Sequence, residues 1–228
     1  IRGVCPCASR RAVPRMITVP RLRASALEET VCRVAEEEMP VSLDDLYLSW
    51  QSVSNVGDRQ HMYVYLLGVP RKLIEAQVRS LQAAGIRPLA MDLNTLALVR
   101  AVAQPEAIIV SLEAQESDIL IVVDYLPVIM RTVSFVGQEI EQQTKRDRLL
   151  HELEQTVQFY NDGHDSAPIG SSIPVYVTGK LLSEYEATSY VAERIDRPVK
   201  RPTAPIDCPG ELPVAEYLAN FGLALKKV

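Results

Sequence analysis

The order of apolar periodicities along this chain leaves it few folds to choose from. Residues 16–19 alternate as a short strand closed by Pro20. A helix follows, with Ser25 and Glu28 spaced as a capping box and Leu27, Val31 and Val34 on one face. Leu46, Leu48 and Trp50 alternate as a half-buried strand, Asn55 to Asp58 has turn composition, and His61 to Val69 is a second strand. Pro70 opens a helix whose stripe is Leu73, Ile74, Val78 and Leu81, and Gly85 stops it. Ile86 to Met91 is again a strand. Residues 16–91 therefore read strand–helix–strand–strand–helix–strand, an α+β unit complete in itself.

Beyond a helix over 95–103 capped by Asn94, and a boundary at Pro105, the pattern changes. Ile108 to Leu112, Ile119 to Asp124 and Val128 to Val133 are three strands with tight turns. A helix at 143–161 carries Leu149, Leu153, Val157 and Tyr160 on one face. A Gly/Ser/Asp/Pro loop fills 161–172, a strand 174–178 and a helix 181–194. A short edge near Val199, a Pro-rich stretch and a final helix from Val214 to Lys226 close the chain. Helices alternating with strands in this way cover both faces of a mixed sheet. The expected fold class is α/β, in four parts: a basic arm over 1–15, an α+β unit over 16–91, a connecting helix over 92–105, and a sheet domain over 106–228.

Composition excludes several function classes. At 228 residues, 47% hydrophobic, the chain can bury a core without covalent staples. Its net charge of −5 gives no general reason to bind nucleic acid. No apolar run approaches the roughly 18 residues that a membrane-spanning helix needs. Cys5, Cys7, Cys32 and Cys208 lack the second pair that would complete a zinc site, and they read as reduced thiols. His61, His151 and His164 lack ligand spacing, so no metal is expected. His164-Asp165-Ser166 holds the residue types of a hydrolytic triad, but adjacent loop residues do not converge as a triad must. Glu36-Glu37-Glu38 is a solvated helix end, since consecutive helical side chains point about 100° apart. Arg15, Arg21 and Arg23 lie in the most basic stretch and form a candidate docking patch, the alternative being a solvated arm. Trp50 is a core anchor or, alternatively, an interface aromatic.

The order βββ–α–β–α–β–α is that of a ribonuclease H-like half, two of which make an actin-type ATPase. Tyr176-Val177-Thr178-Gly179 before a helix, and Phe221-Gly222-Leu223-Ala224-Leu225, resemble the closing elements of such a half. Over nearly the whole chain the sequence resembles the type IV pilus assembly protein PilM family, relatives of the cell-division protein FtsA. The resemblance rests on Ile17-Thr18-Val19-Pro20, Met39-Pro40-Val41, Ala83-Ala84-Gly85-Ile86-Arg87-Pro88, Asp92-Leu93 with Leu96-Ala97-Leu98, and Leu153 to Tyr160, taken in order.

The resemblance implies an actin-like (ribonuclease H-like) half with an inserted small α+β subdomain, and a first half expected before residue 1. It also implies a phosphate loop holding Asp and Gly where this chain has Ser111 and Glu113. In the adenosine motif Thr178 and Gly179 remain, and Lys180 replaces a second Gly. A carboxylate that positions metal has become a hydroxyl, and a glycine that lets backbone approach phosphate has become an acid. The helical insert after Arg131 and Gly137 is shortened.

These departures imply a non-catalytic scaffold without cofactor. It would be cytoplasmic and held at the inner membrane by the cytoplasmic tail of a small PilN-like partner, with self-association left open. The alternatives are an ATP- and magnesium-binding member whose N-terminal half is absent from this chain, and the cytoplasmic domain of a type II secretion platform protein.

Overall fold

A computed structural model describes residues 2–7, 9–53, 60–137, 141–164, 167–180 and 186–227, and every structural statement concerns these. The turn expected at 55–58, Asp165 and Ser166, and the start of the helix expected at 181–194 lie outside the described residues. The chain divides into two compact units. The first is Ile1–Gly3 with Arg10–Met91, and the second is Val4–Ser9 with Asp92–Val228.

The stretch expected as a basic arm is not one. Strand β1 (Arg2–Cys7) pairs with β5 (Arg87–Leu93), and β2 (Val13–Pro20) begins before residue 16. Cys5 and Cys7 are buried at alternate positions. They serve as small apolar residues, a period-2 signal that the surrounding arginines hide.

The first unit is a three-stranded antiparallel sheet ordered β2-β4-β3, with β3 (Leu46–Val53) and β4 (His61–Pro70). Its register sets Ile17 opposite Val64, and Arg15 and Trp50 on either side of Leu66. One face carries Ile17, Val19, Leu46, Val64 and Leu66, packed with Val31, Ala35 and Met39 of the α1 (Ala24–Glu38) segment. Val31 is fully buried, and such a side chain contributes about 1.5–3 kcal/mol. Helix α1 starts before the expected cap: Arg23 holds the N-cap position and makes no side-chain cap bond.

Helix α2 (Arg71–Ala83) ends as its glycine predicts. Gly85 sits at φ +77°, its N–H donates to the Gln82 carbonyl, and the Ile86 N–H donates to that of Leu81. This pairing satisfies two carbonyls that the helix end leaves open. The stripe of α2 is only half-buried, and none of its residues is fully covered.

The second unit is a five-stranded sheet ordered β10-β9-β6-β7-β8. Strands β6 (Glu106–Ser111), β7 (Glu116–Val123) and β8 (Leu126–Ser134) form an antiparallel meander. Asp124 and Tyr125 turn β7 into β8, both at positive φ, as a two-residue hairpin requires. Strands β9 (Val175–Thr178) and β10 (Val199–Lys200) add in parallel beside β6.

Alternation along β6 and β7 gives two cores. Ile108, Val110, Ile119 and Ile121 pack with Leu149, Leu150 and Leu153 of α4 (Gln142–Asp162) and with Val191 of α5 (Glu186–Ala192). Ala107, Ile109, Leu120 and Val122 pack with Leu98 and Val99 of α3 (Asn94–Val102) and Leu218 of α6 (Leu218–Ala224). Helix α3, expected as a connector, is thus part of this unit's core. It starts at Asn94 with Leu93 in the N-cap position, so the expected Asn94 cap is not made. The last helix is shorter than the sequence suggested, because turns occupy residues 214–217.

Candidate functional site

The residues singled out in the phosphate and adenosine motifs come together at one end of the second sheet. Ser111 ends β6 and pairs with Thr178, the last residue of β9. Both are buried. Past them the two strands are joined, not splayed. The Leu112 N–H donates to the Thr178 carbonyl at 2.7 Å.

Gly179 then turns at φ +108°, against the Leu112 backbone. A methyl group there would lie 2.7 Å from the Leu112 nitrogen, so both the turn and the contact need glycine.

The donors at this turn are engaged inside the protein. The Gly179 N–H donates to the Ala215 carbonyl at 3.0 Å, and the Thr178 hydroxyl donates to the same oxygen. The Lys180 N–H donates to Oε1 of Glu113 at 3.4 Å. The Glu113 N–H in turn donates to the Ser117 hydroxyl at 3.4 Å. Glu113 thus places a carboxylate oxygen on the backbone donor that follows the glycine. Burial raises its carboxyl above the ordinary value, the Lys180 N–H and ammonium oppose this, and Glu216 adds to it.

A second carboxyl lies nearby on β7. Asp118 accepts from the Thr132 hydroxyl at 2.6 Å. Desolvation raises its pKa, and the charges of Glu116 and Glu113 act in the same direction. Among the described residues no three His, Cys, Asp or Glu side chains cluster to hold a metal. No helix among them is long and apolar enough to cross a membrane.

Sequence reasoning missed the Ala215 carbonyl, which has no side-chain signal, and the charge cluster at Asp92. The Asp92 carboxylate is 2% exposed. It accepts from Arg100 at 2.9 Å and from Lys226 at 3.1 Å. Arg100 also donates to the Gly222 carbonyl at 2.6 Å. Beside it the buried Cys7 thiol is pushed up to about 11, first by burial and then by the Asp92 charge. Ser9 and Thr95 share a hydrogen bond of 2.8 Å.

Residues 7–147 match the type IV pilus assembly protein PilM family. The chain belongs to the PilM family. Its fold is the actin-like one. A solved PilM–PilN type IV pilus biogenesis complex is similar over 98% of this chain and 79% of that one, with TM-score 0.71 and 15% identity. The cytoplasmic domain of EpsL, an inner-membrane component of the Vibrio cholerae type II secretion system, is similar over 100% of this chain and 76% of that one, with TM-score 0.56 and 14% identity. No curated protein sequence matches the chain.

The other candidate residues of this PilM-family chain lie in the first unit. Arg15 is exposed on β2 and donates to the Pro14 carbonyl. Arg21 donates through Nε to the His61 carbonyl, and Arg23 holds the N-cap position of α1. Trp50 is half-buried on β3 and packs against the core of that unit.

Proposed function

We infer that this PilM-family chain is a non-catalytic, actin-like scaffold of a type IV pilus or secretion platform, which binds the cytoplasmic tail of a small inner-membrane partner. The observation that supports this reading is the closed end of the second sheet. A phosphate seat needs backbone N–H groups free to point at the anion. Here those of Leu112, Gly179 and Lys180 go to Thr178, Ala215 and Glu113.

A fold kept without its phosphate chemistry is kept for its surface. The likeness to a PilM–PilN complex supports a PilN-like tail as the partner, and in this reading the chain reaches the membrane through it.

The test is a fractionation. The protein should pellet with inner membranes when the small membrane partner is present and become soluble when that partner is deleted. If the protein stays soluble in both strains, the reading is wrong. If it responds only to deletion of a type II secretion component, the secretion platform replaces the pilus.

A further inference from the structure

We propose that the outer edge of β3 pairs antiparallel with the same edge of a second copy, joining two three-stranded sheets into one of six strands. The argument starts from which backbone groups face outward. In a strand, the N–H and C=O of one residue point to the same side, and successive residues alternate.

Arg21 N–H donates to the Gln60 carbonyl. In the register of β2 with β4, this places the even-numbered residues of β4 toward β2 and the odd-numbered ones toward β3. The outward row of β2 is then Pro14, Met16, Thr18 and Pro20. The outward row of β3 is Leu46, Leu48, Trp50 and Ser52.

The two edges differ in kind. Both ends of the β2 outward row are prolines, which have no N–H to offer. This is a standard protection of an edge strand. The β3 edge has no proline and no charge anywhere in Leu46–Val53. The Leu46 N–H is used by the Leu43 carbonyl. Among the described residues no strand pairs with this edge, which leaves Leu48, Trp50 and Ser52 to pair.

The occupant follows from the side chains. A strand added here places residues beside Leu48 and Trp50, on the face that packs with α1 and where both are half-buried. It must be uncharged and carry apolar residues at alternate positions. Strand β3 itself has that pattern, and a second copy presents it at the same exposed edge.

Two-fold antiparallel pairing sets outward residues against outward residues, with Trp50 opposite its own copy or opposite Leu48. It also keeps each Asp44-Asp45 pair at the opposite end from its copy, where parallel pairing would set them side by side. The joined sheet ends on both sides in β2, so its prolines stop growth at the dimer.

The experiment is sedimentation velocity of the full chain over a concentration series, with tryptophan emission read in parallel. Trp50 is the chain's single tryptophan. The wild type should pass from monomer to dimer, and its emission should move to shorter wavelength as it does. Ser52→Pro removes an outward N–H and none that bonds to β4. It should stay monomeric with unmoved emission and an unchanged circular dichroism spectrum. Ser52→Lys should do the same and serves if the proline variant misfolds. A wild type that is monomeric throughout, or a dimer that survives Ser52→Lys, overturns the proposal.

Discussion

At the scale of single residues, Asp118 shows how burial converts to pH dependence. Its carboxyl is held above the ordinary 3.8, first by desolvation, against the Thr132 hydrogen bond. The folded state therefore keeps a proton that the unfolded chain has released. Between the unfolded pKa of about 4 and the higher folded value, the native state binds more protons, so this residue's contribution falls as pH rises. Asp118→Asn keeps an oxygen for Thr132 and removes the charge. Urea unfolding should find the variant at least as stable as wild type at pH 7, with the difference vanishing near pH 4. A variant equally destabilised at both values would mean that the carboxylate is favourably placed. The Asp92 carboxylate, set between Arg100 and Lys226, is the opposite case of a buried charge provided with partners.

At the scale of elements, the approach of α3 and α6 sets two effects against each other. Gly222 lies inside α6, where helix propensity alone favours alanine by about 1 kcal/mol. A methyl group there would overlap the Ala97 carbonyl, and overpacking of this kind costs about 1–3 kcal/mol. Packing should win, so Gly222→Ala should lower Tm by roughly 5 °C. Gly210→Ala, where nothing lies within 4 Å, should not change it. A Gly222→Ala variant of unchanged Tm would show that the helices can move apart freely.

Gly222 also marks the limit of what the sequence discloses. The order of strands and helices was legible because apolar periodicity and punctuation agreed, as at Leu73 to Gly85 and through the meander. Residues 2–7 were not legible, since the alternation there rests on two cysteines, and the arginines at 2, 10 and 11 make the stretch look like a basic arm. The caps at Ser25 and Asn94 were misplaced because α1 and α3 have Arg23 and Leu93 in their N-cap positions, without a side-chain cap bond. In the site, Ser111, Glu113, Thr178, Gly179 and Lys180 could be named from their motifs. Their closure onto one another could not, because it runs through backbone groups of Leu112 and Ala215.

At the scale of the whole molecule, the question is whether a fold of the actin type still takes the ligand of that type. ATP with magnesium brings about four phosphate charges, which call for backbone donors, a cation and close approach. Each requirement is opposed in the second unit. Gly179 and Lys180 have their N–H groups on Ala215 and Glu113, and the strands that flank the turn are joined through Leu112. The nearest carboxylate, on Glu113, repels phosphate by about 1 kcal/mol per unit charge at 4 Å even in water, and by more where water is partly excluded. Lys180 supplies one opposing charge, within reach of the same carboxylate. Calorimetry of the full chain with millimolar ATP and magnesium should therefore give no saturable heat. A micromolar isotherm would mean that the Glu113–Lys180 contact opens for nucleotide, and Glu113→Gly should then tighten binding further by removing the competing anion.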